Sequence, residues 1–453
     1  MYTTPLIKDV LILGAGIAGC ALALALVKRG VSVTLATCPS DQRVYHGSFV
    51  KDEFLQNDVT RLPELIDVEQ SSSRSVELLV KCAKKNIQEL LAENYTVDRN
   101  GNVDIYRCLQ QQLAGFSQVE WLPSHVLLDL ITLESDSTRI ADRYKKPACF
   151  GAWLYQQDTG EVEPILAKEV VLATGGLTSL YPYSTHDLYA RGEGLGIAIR
   201  LGVRTLSLTP QWVPLALFEE NRPLFPLPTE WLWEGGRLLI SKNGGVCAVG
   251  GCPEKALFQQ MLSSRQPHLW LDLTMVDISA LKERFFVEDQ YCLSRGFNLA
   301  KELLPVAPAV GNCTGGIVVD GVGQSSMQRL RALGAVAETG LRFRSQELGM
   351  QVLQSLTWAV SAAEDIVKQL PKLVYSFPDF TLKGPIEKAS DPLEEKWRLL
   401  GQILWLYAGI QSDPVRKAQA RALMQPLEEI TETPSVAQLQ FQNAFQAAWK
   451  LVS

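Results

Sequence analysis

Apolar and polar positions near the start of the chain form a block pattern that predicts a strand, a turn, a helix and a second strand. An apolar segment at residues 10–13 leads into three glycines at turn spacing, and a run of Ala and Leu then closes at Lys28-Arg29-Gly30. A second apolar segment at residues 31–35 predicts the next strand. This order indicates a βαβ unit, in which the two strands are parallel neighbours.

Further along, the spacing of apolar positions changes several times between the helical and the extended period. The predicted segments are a helix at 75–91, strands between 119 and 155, a hairpin turn at 158–160, a buried strand at 169–173, strands and turns at 315–319 and 330–340, a helix at 352–366, and helices from about residue 391 onward. From about residue 205 to residue 305 the chain is richer in Trp and Pro, which indicates an inserted unit; its tryptophans include Trp212, Trp231, Trp233 and Trp270.

The length of the chain supports more than one folding unit, because a single hydrophobic core stops growing near roughly 250 residues. For these 453 residues we predict an α/β protein. Its Rossmann-type nucleotide-binding domain is interrupted by an inserted α+β capping domain and followed by a C-terminal helical domain. The predicted bounds are 1–205 and 311–372 for the two parts of the nucleotide-binding domain, 206–310 for the cap and 373–453 for the helical domain.

Composition and charge narrow the class of protein. The chain is 47% hydrophobic and 20% charged, as in a globular protein, and a net charge of -6 without a Lys/Arg run argues against a nucleic-acid partner. Nine cysteines without a CxxC pair favour reduced thiols in the cytoplasm and argue against a structural metal. The uncharged stretch at 10–27 contains three glycines at turn spacing, so we predict no membrane span there.

Residues 14–19 read Gly-Ala-Gly-Ile-Ala-Gly between the first strand and the first helix. In this position a GxGxxG sequence aims helix N–H groups and the positive end of the helix dipole at a pyrophosphate. Gly14 permits the tight turn, Gly16 lets the backbone approach phosphate, and Gly19 lets the helix pack on the strand. The second strand ends at Thr37 without the Asp or Glu that usually receives the ribose hydroxyls, and Thr replaces it only weakly.

Several later segments resemble one flavoprotein group. Residues 170–176, VVLATGG, and 190–194, ARGEG, are similar to the ATGG and GDG elements of the group that contains succinate dehydrogenase, fumarate reductase and L-aspartate oxidase. Residues 404–410, LWLYAGI, resemble the MWDYVGI helix typical of L-aspartate oxidases. Further matches follow in the same chain order at 234–239, 306–309, 314–320 and 361–363. The chain is therefore identified as a divergent member of the L-aspartate oxidase group.

The resemblance implies FAD held noncovalently and a dicarboxylate bound between the FAD-binding domain and the cap. It implies hydride removal from L-aspartate to give iminoaspartate, for NAD biosynthesis on the quinolinate branch, with oxygen or fumarate as electron acceptor. Glu193 keeps the carboxylate of the GDG element, whereas Ala335 replaces the Glu of the family's GE element. The residues expected to bind FAD are Gly14, Ala15, Gly16, Ile17, Ala18, Gly19, Thr37, Thr174, Gly175, Gly176, Glu193, Gln351 and Val352.

The substrate positions depart from the family pattern, although a bound dicarboxylate needs cations to replace its hydration. Gln211 matches the family's Gln, but Val213 and Gly311 stand where the resemblance implies two histidines. The two implied arginines align on Gln259 and Gln346. All four implied cations are therefore replaced, and no catalytic residue is assigned.

Arg342 and Arg344 lie close to the position of one lost arginine and are candidate replacements for it. Together with Gln211 and Gln346 they are the candidate substrate contacts. The more ordinary interpretation of both arginines is a solvent-facing charge. His46 is the histidine of most interest, because it follows the second strand in a loop that usually runs beside the flavin.

Three functions are compatible with this pattern. The first is aspartate oxidation with compensating cations, which predicts Arg342 or Arg344 in the cleft. The second is a flavoenzyme of the same fold with a neutral substrate, which predicts a largely apolar cleft. The third is a catalytically inactive homologue that serves as a binding or assembly partner, which predicts a collapsed cleft or no flavin.

Overall fold

Two large sheets and one small sheet organise the chain, and the computed structural model describes residues 7–38, 49–52, 55, 62–91, 95–98, 101–186, 189–242, 244–344, 348–373, 393–428 and 434–453. The strands are β1 (Lys8–Leu13), β2 (Val33–Ala36), β3 (Phe49–Lys51), β4 (Asn102–Asp104), β5 (Val119–Leu122), β6 (His125–Thr132), β7 (Cys149–Gln156), β8 (Glu161–Leu172), β9 (Thr205–Leu217), β10 (Phe225–Pro226), β11 (Arg237–Ser241), β12 (Gly244–Val246), β13 (Leu269–Asp272), β14 (Leu304–Val318), β15 (Leu330–Ala332) and β16 (Ala337–Glu338).

Helices cover the faces of these sheets. They are α1 (Ile17–Val27), α2 (Leu62–Leu65), α3 (Ser73–Leu91), α4 (Ile105–Leu113), α5 (Leu133–Asp136), α6 (Glu193–Arg200), α7 (Glu230–Trp233), α8 (Pro253–Ser264), α9 (Ile278–Arg284), α10 (Phe286–Ser294), α11 (Leu348–Gln369), α12 (Glu394–Tyr407), α13 (Pro414–Met424) and α14 (Val436–Val452).

The first sheet has the strand order β5-β2-β1-β8-β7-β6, and β15 also pairs with β8. Strands β5, β2, β1, β8 and β15 pair in parallel, while the first half of β8 pairs antiparallel with β7. All of β2 and the last four residues of β1 are buried, as in a parallel sheet with both faces covered. The predicted α/β class with a Rossmann-type domain is confirmed.

Helix α1 lies against this sheet with almost its whole surface covered. Its residues from Ala18 to Val27 are all buried, and it packs against α3 and α11. The uncharged stretch at 10–27 is therefore a core strand and a core helix, which explains why the helix has no polar face. Within the described ranges, no helix is long and apolar enough to cross a membrane.

The second sheet has the strand order β10-β9-β14-β13-β11-β12, and β16 also pairs with β14. Its longest strands, β9 and β14, pair antiparallel with three register shifts between Ala307 and Gly316. Strand β9 begins at Thr205, and β14 crosses the predicted boundary at 310/311. The paired strands therefore connect the predicted cap to the nucleotide-binding part of the chain.

The C-terminal helix α14 packs against α6 with backbone in close contact. A Cβ atom on Gly196 would lie 1.6 Å from the carbonyl oxygen of Asn443, and one on Gly192 would lie 3.0 Å from Cβ of Ala447. Asn443 is 1% exposed, and its Nδ2 donates to the carbonyl of Leu128 at 2.8 Å. Only glycine fits at residue 196, and Gly192 adds a second close contact between α6 and the C-terminal helix.

Several predicted elements are found with shifted ends. The predicted helix at 75–91 is α3, the helix at 352–366 is the longer α11, and the turn at 158–160 joins β7 to β8. The nine cysteines are free thiols.

Candidate functional site

The phosphate loop at residues 14–19 is a tight turn between β1 and α1. Gly14 has φ +115°, and a Cβ atom there would lie 2.2 Å from the carbonyl oxygen of Ala173. A Cβ atom on Gly19 would lie 1.9 Å from the carbonyl oxygen of Gly14. The first glycine is therefore required for the turn and for contact with the end of β8, and the third lets α1 pack back on the loop.

The start of α1 offers its amide groups to an anion. Gly16 precedes the helix in an extended conformation and supplies no side-chain cap, and the first turn of α1 contains no acidic residue. Ala15 and Ala18 are buried, while Gly16 and Ile17 are partly exposed. The helix end therefore leaves room and a positive dipole end for a phosphate group.

The second glycine turn, Thr174-Gly175-Gly176, follows β8 directly beside the phosphate loop. Gly175 has φ +79° and open space beside it, and a Cβ atom on Gly176 would lie 3.6 Å from Cβ of Ala335. The Thr174 hydroxyl is buried next to Gly194 and has no hydrogen-bond partner within the described part of the chain. A buried hydroxyl of this kind is a candidate contact for a bound ligand.

The turn before α11 meets the phosphate loop from the other side. A Cβ atom on Gly334, which has φ +73°, would lie 2.9 Å from Cβ of Ala18. Gln351 is partly exposed, its carbonyl accepts a hydrogen bond from Ser355, and Val352 is buried. Gly334 was not among the predicted site residues. Its position as a glycine within the predicted strand-and-turn segment 330–340 is the sequence signal that could have identified it. We call the turns at 14–19, 174–176 and 334–336 the cofactor platform.

Thr37 lies at the end of β2, at the same edge of the sheet. Its hydroxyl donates to the carbonyl of Cys38 at 3.1 Å, and its backbone N–H donates to the carbonyl of Leu122. Thr37 itself supplies no carboxylate, so its own contact with a nucleotide ribose would be a neutral hydrogen bond.

Glu193 begins α6 next to the second glycine turn, since Gly192 donates its N–H to the carbonyl of Gly176 at 3.1 Å. Burial raises the pKa of Glu193 to about 7, and the charge of Arg191 opposes that shift. The Arg191 guanidinium stacks over the Trp397 ring at 4.2 Å. The resulting carboxyl group is poised between its neutral and charged forms near physiological pH.

Replacing Glu193 should change how stability depends on pH in the protein freed of FAD. Between 4.5, the ordinary pKa of this side chain, and about 7, the unfolded chain has lost the proton that the folded chain keeps. Stability should therefore fall as the pH rises through this window. We expect Glu193→Gln to flatten that slope in urea unfolding measured at several pH values. Glu428→Gln, at an exposed position, is the control, and an unchanged slope in Glu193→Gln would contradict the assignment.

Strands β9 and β14 carry the substrate positions implied by the resemblance. Gln211 pairs with Asn312 across the strands, and Asn312 Nδ2 donates to Gln211 Oε1 at 3.2 Å. Val213 packs at the edge of the apolar core, and Gly311 is partly exposed. Burial raises the pKa of the neighbouring Cys313 thiol to about 12, so it stays uncharged. This stretch of the two strands therefore presents amides, apolar groups and backbone.

The other implied arginine positions supply no cation to these strands. Gln259 is exposed on α8, and Gln346 lies outside the described residues, as does His46. Arg342 forms a bidentate ion pair with the buried Glu338, at 2.9 and 3.0 Å. Its side chain is 29% exposed and is neither a solvent-facing charge nor available to a second carboxylate. Arg344 is exposed, as the ordinary interpretation expects.

Aromatic rings fill the space between β9, α8, α12 and the segment that follows the second glycine turn. Trp212 contacts Tyr181 and Trp405 edge to face, each at 5.6 Å between ring centroids, and Phe258 contacts Trp405 at 5.2 Å. The Tyr181 hydroxyl donates to the carbonyl of Ala408 at 3.0 Å. Trp212 therefore serves the packing between these parts, while its neighbour Gln211 bonds across the strands.

Comparison with known proteins identifies the class. Residues 74–349, more than half of the chain, match the FAD binding domain family, and the chain belongs to that family. It is an FAD-dependent oxidoreductase by family and a divergent relative of the L-aspartate oxidases. L-aspartate oxidase of Yersinia pestis is 27% identical over 472 aligned positions, which cover 93% of this chain and 87% of that protein.

Solved structures share the fold at low identity. Sdh1 of Mycobacterium smegmatis superposes with a TM-score of 0.74 and 17% identity, covering 99% of this chain and 86% of the other. The 3-ketosteroid delta1-dehydrogenase of Sterolibacterium denitrificans superposes with a TM-score of 0.54 and 12% identity, covering 80% of this chain and 100% of the other.

The cofactor platform fits the FAD of this family. Gly175 has open space beside its backbone, the start of α1 has no acidic residue in its first turn, and the buried Thr174 hydroxyl lacks a partner within the described ranges. These features suit a diphosphate and the polar chain attached to it.

Proposed function

We propose that this FAD-dependent oxidoreductase acts on a neutral substrate bound between the cofactor platform and strands β9 and β14. One observation carries the proposal. The hydrogen-bonding side chains of the strand pair at the substrate positions are the amides of Gln211 and Asn312, and the expected histidine positions hold Val213 and Gly311. An amide pair recognises a carbonyl, a hydroxyl or a carboxamide without requiring charge.

The missing charges weigh against a dicarboxylate. Each hydrogen bond to a charged group contributes roughly 1.5–3 kcal/mol. The loss of even two of the four implied cations therefore weakens binding by about 10² to 10⁴-fold. A carboxylate left without cations in a partly buried cleft also keeps its desolvation cost. Arg342 does not offset this loss, because both Nη atoms of its guanidinium already donate hydrogen bonds to the carboxylate of Glu338.

The chemistry divides between the cofactor and the chain. FAD, when bound, supplies a two-electron acceptor or donor for a substrate carbon. The chain would hold the cofactor through the phosphate loop, Thr174 and Glu193, and would orient the substrate through Gln211 and Asn312. The free thiols favour a reducing compartment, and we propose the cytoplasm as the location.

Oxidation of L-aspartate to iminoaspartate is the second candidate. The relatives over most of the chain are named L-aspartate oxidases. On this proposal Arg344, Gln211 and Gln346 would contact the substrate, and oxygen or fumarate would accept the electrons. On this proposal, we expect the affinity for L-aspartate to be far lower than that of an enzyme that has all four cations.

One neutral ligand and two anionic ligands of similar size separate the two candidate functions. The purified holoprotein is titrated without oxygen with succinamide, which is neutral, and with succinate and L-aspartate, while the visible flavin spectrum is followed. We expect succinamide to perturb or bleach the flavin at concentrations about 100-fold below those at which succinate acts. Gln211→Leu should weaken the succinamide response, and Gln266→Leu, at an exposed position, is the control.

Each other outcome has a definite meaning. Bleaching by L-aspartate at lower concentration than by succinamide would overturn the neutral substrate and support the second candidate. A flavin that responds to none of the three ligands, nor to a panel of neutral alcohols, ketones and amides, would overturn both candidates and favour a catalytically inactive binding or assembly partner.

A further inference from the structure

A cavity of about 710 Å³ lies beside α3, and its lining includes none of the cofactor platform. Its walls are the first half of α3, the last turns of α11, the start of β9, and the turns at 318–322 and 338–340. Gly340 packs against Ser72, and Gly321 packs against Leu78, so the turns close on α3. The volume lies within the range of ordinary small-molecule sites.

Carboxylates line this cavity, but nearly all of them are neutralised by a cation. Arg342 binds Glu338 from outside the cavity, as described above, and Arg331 binds Asp365 at 2.6 Å. The remaining pairs are Glu77 with Lys81, and Glu364 with Arg29 and Lys85. Asp320 is the exception, and its Oδ1 accepts two backbone N–H groups of its own turn. The wall therefore carries little uncompensated negative charge.

Three cations on the same wall remain without a partner. Arg74, Arg204 and Lys368 form no ion pair or side-chain hydrogen bond within the described residues. They come from three separate elements, the start of α3, the segment before β9 and the end of α11. Their charges therefore face one cavity from different directions, and three cations oppose the single unpaired carboxylate of Asp320.

The rest of the wall is suited to an organic anion. The first turn of α3 contains no acidic residue, so the positive end of this long helix is uncompensated. Leu78, Leu206 and Val318 add an apolar portion to the lining. A ligand with two charged groups and a small apolar body would satisfy both parts.

We propose that this cavity binds a small organic anion carrying at least two negative charges, as phosphate or carboxylate groups. The long side chains of Arg74, Arg204 and Lys368 are exposed and would fold over the ligand from the rim. The site is separate from the flavin, because none of the cofactor-platform turns lines the cavity. The inference does not depend on which substrate the flavin oxidises.

The test uses FAD-saturated protein at low ionic strength and isothermal titration calorimetry. Inorganic pyrophosphate and citrate are the probes, and they distinguish a phosphate ligand from a carboxylate ligand. We expect one of them to bind, and expect Arg74→Gln and Arg204→Gln each to lower its affinity roughly 5- to 10-fold. Arg222→Gln removes one exposed arginine outside the cavity and should leave the affinity within about 2-fold.

The contrary results are equally clear. The proposal is overturned if neither probe binds, if Arg222→Gln weakens binding as much as the cavity variants do, or if the probe displaces FAD from the holoprotein. Unchanged thermal unfolding of Arg74→Gln without probe shows that the variant remains folded, so that a lost affinity reports on the cavity.

Discussion

Gly19→Ala is expected to lower the affinity for FAD by at least about 100-fold, the loss of two hydrogen bonds from backbone amides to phosphate. A methyl group at this position would lie 1.9 Å from the carbonyl oxygen of Gly14. The start of α1 must then move away from the loop, and its amides no longer converge on the phosphates. Equilibrium titration of the FAD-free protein with FAD, followed by flavin fluorescence, measures the change.

Gly251→Ala is the matched control for this variant. A Cβ atom on Gly251 meets nothing within 4 Å, and no positive φ is required there. Its FAD affinity should equal that of the parent chain. If Gly19→Ala bound FAD as tightly as Gly251→Ala, the phosphate loop would not be where the diphosphate lies.

Arg331→Leu is expected to reduce the free energy of unfolding by about 3–5 kcal/mol, the usual cost of removing one member of a buried ion pair. Arg331 is 1% exposed and binds Asp365 at 2.6 Å, the carbonyl of Val322 at 2.7 Å and Glu169 at 3.5 Å. Burial already raises the pKa of Glu169, and the charge of Arg331 opposes this shift. Urea unfolding followed by tryptophan fluorescence measures the loss.

The double variant Glu169→Gln, Arg331→Leu tests the cause of that loss. It removes the buried carboxylate together with its cation, so we expect it to regain a large part of the lost stability. If the double variant were no more stable than Arg331→Leu alone, packing around the lost side chain would explain the result better than an uncompensated charge.

The N-terminal unit is the part of the fold that local sequence specifies most completely. Strands β1 and β2 are short and end in apolar residues. The spacing of the glycines between them defines the turn into α1. Each of these signals lies within a few residues of the structure that it predicts. The glycines at 14, 16 and 19 could therefore be assigned before any tertiary contact was known.

The long strands β9 and β14 could not be predicted in the same way. Each contains proline within it, Pro210 and Pro214 in β9 and Pro305 and Pro308 in β14, and proline normally argues against a central strand. One register shift between the two strands falls at Pro308 and Pro214, whereas Pro210 stays in register opposite Cys313. Pairing across a hundred residues of chain supplies the order that the local sequence does not indicate.

The candidate site shows the same limit. Sequence spacing places Arg342 near a lost arginine, but it does not reveal that the buried carboxylate of Glu338, four residues earlier, binds this arginine. The cations of the cavity beside α3 come from three segments that are distant in sequence. Taken alone, each of these cations is an ordinary surface residue. Partners of charged side chains depend on the tertiary fold, so their roles emerge only with it.

The contact between α6 and α14 has a consequence for the order in which the protein is made. Gly192 and Gly196 seat the helix that carries Glu193 directly on Ala447 and Asn443, which the ribosome adds more than two hundred residues later. A nascent chain that still lacks α14 leaves this face of α6 uncovered, next to the turn at 174–176 whose Gly176 carbonyl accepts the N–H of Gly192. Tight retention of FAD should therefore depend on α14, a segment that is synthesised more than two hundred residues after the turn at 174–176.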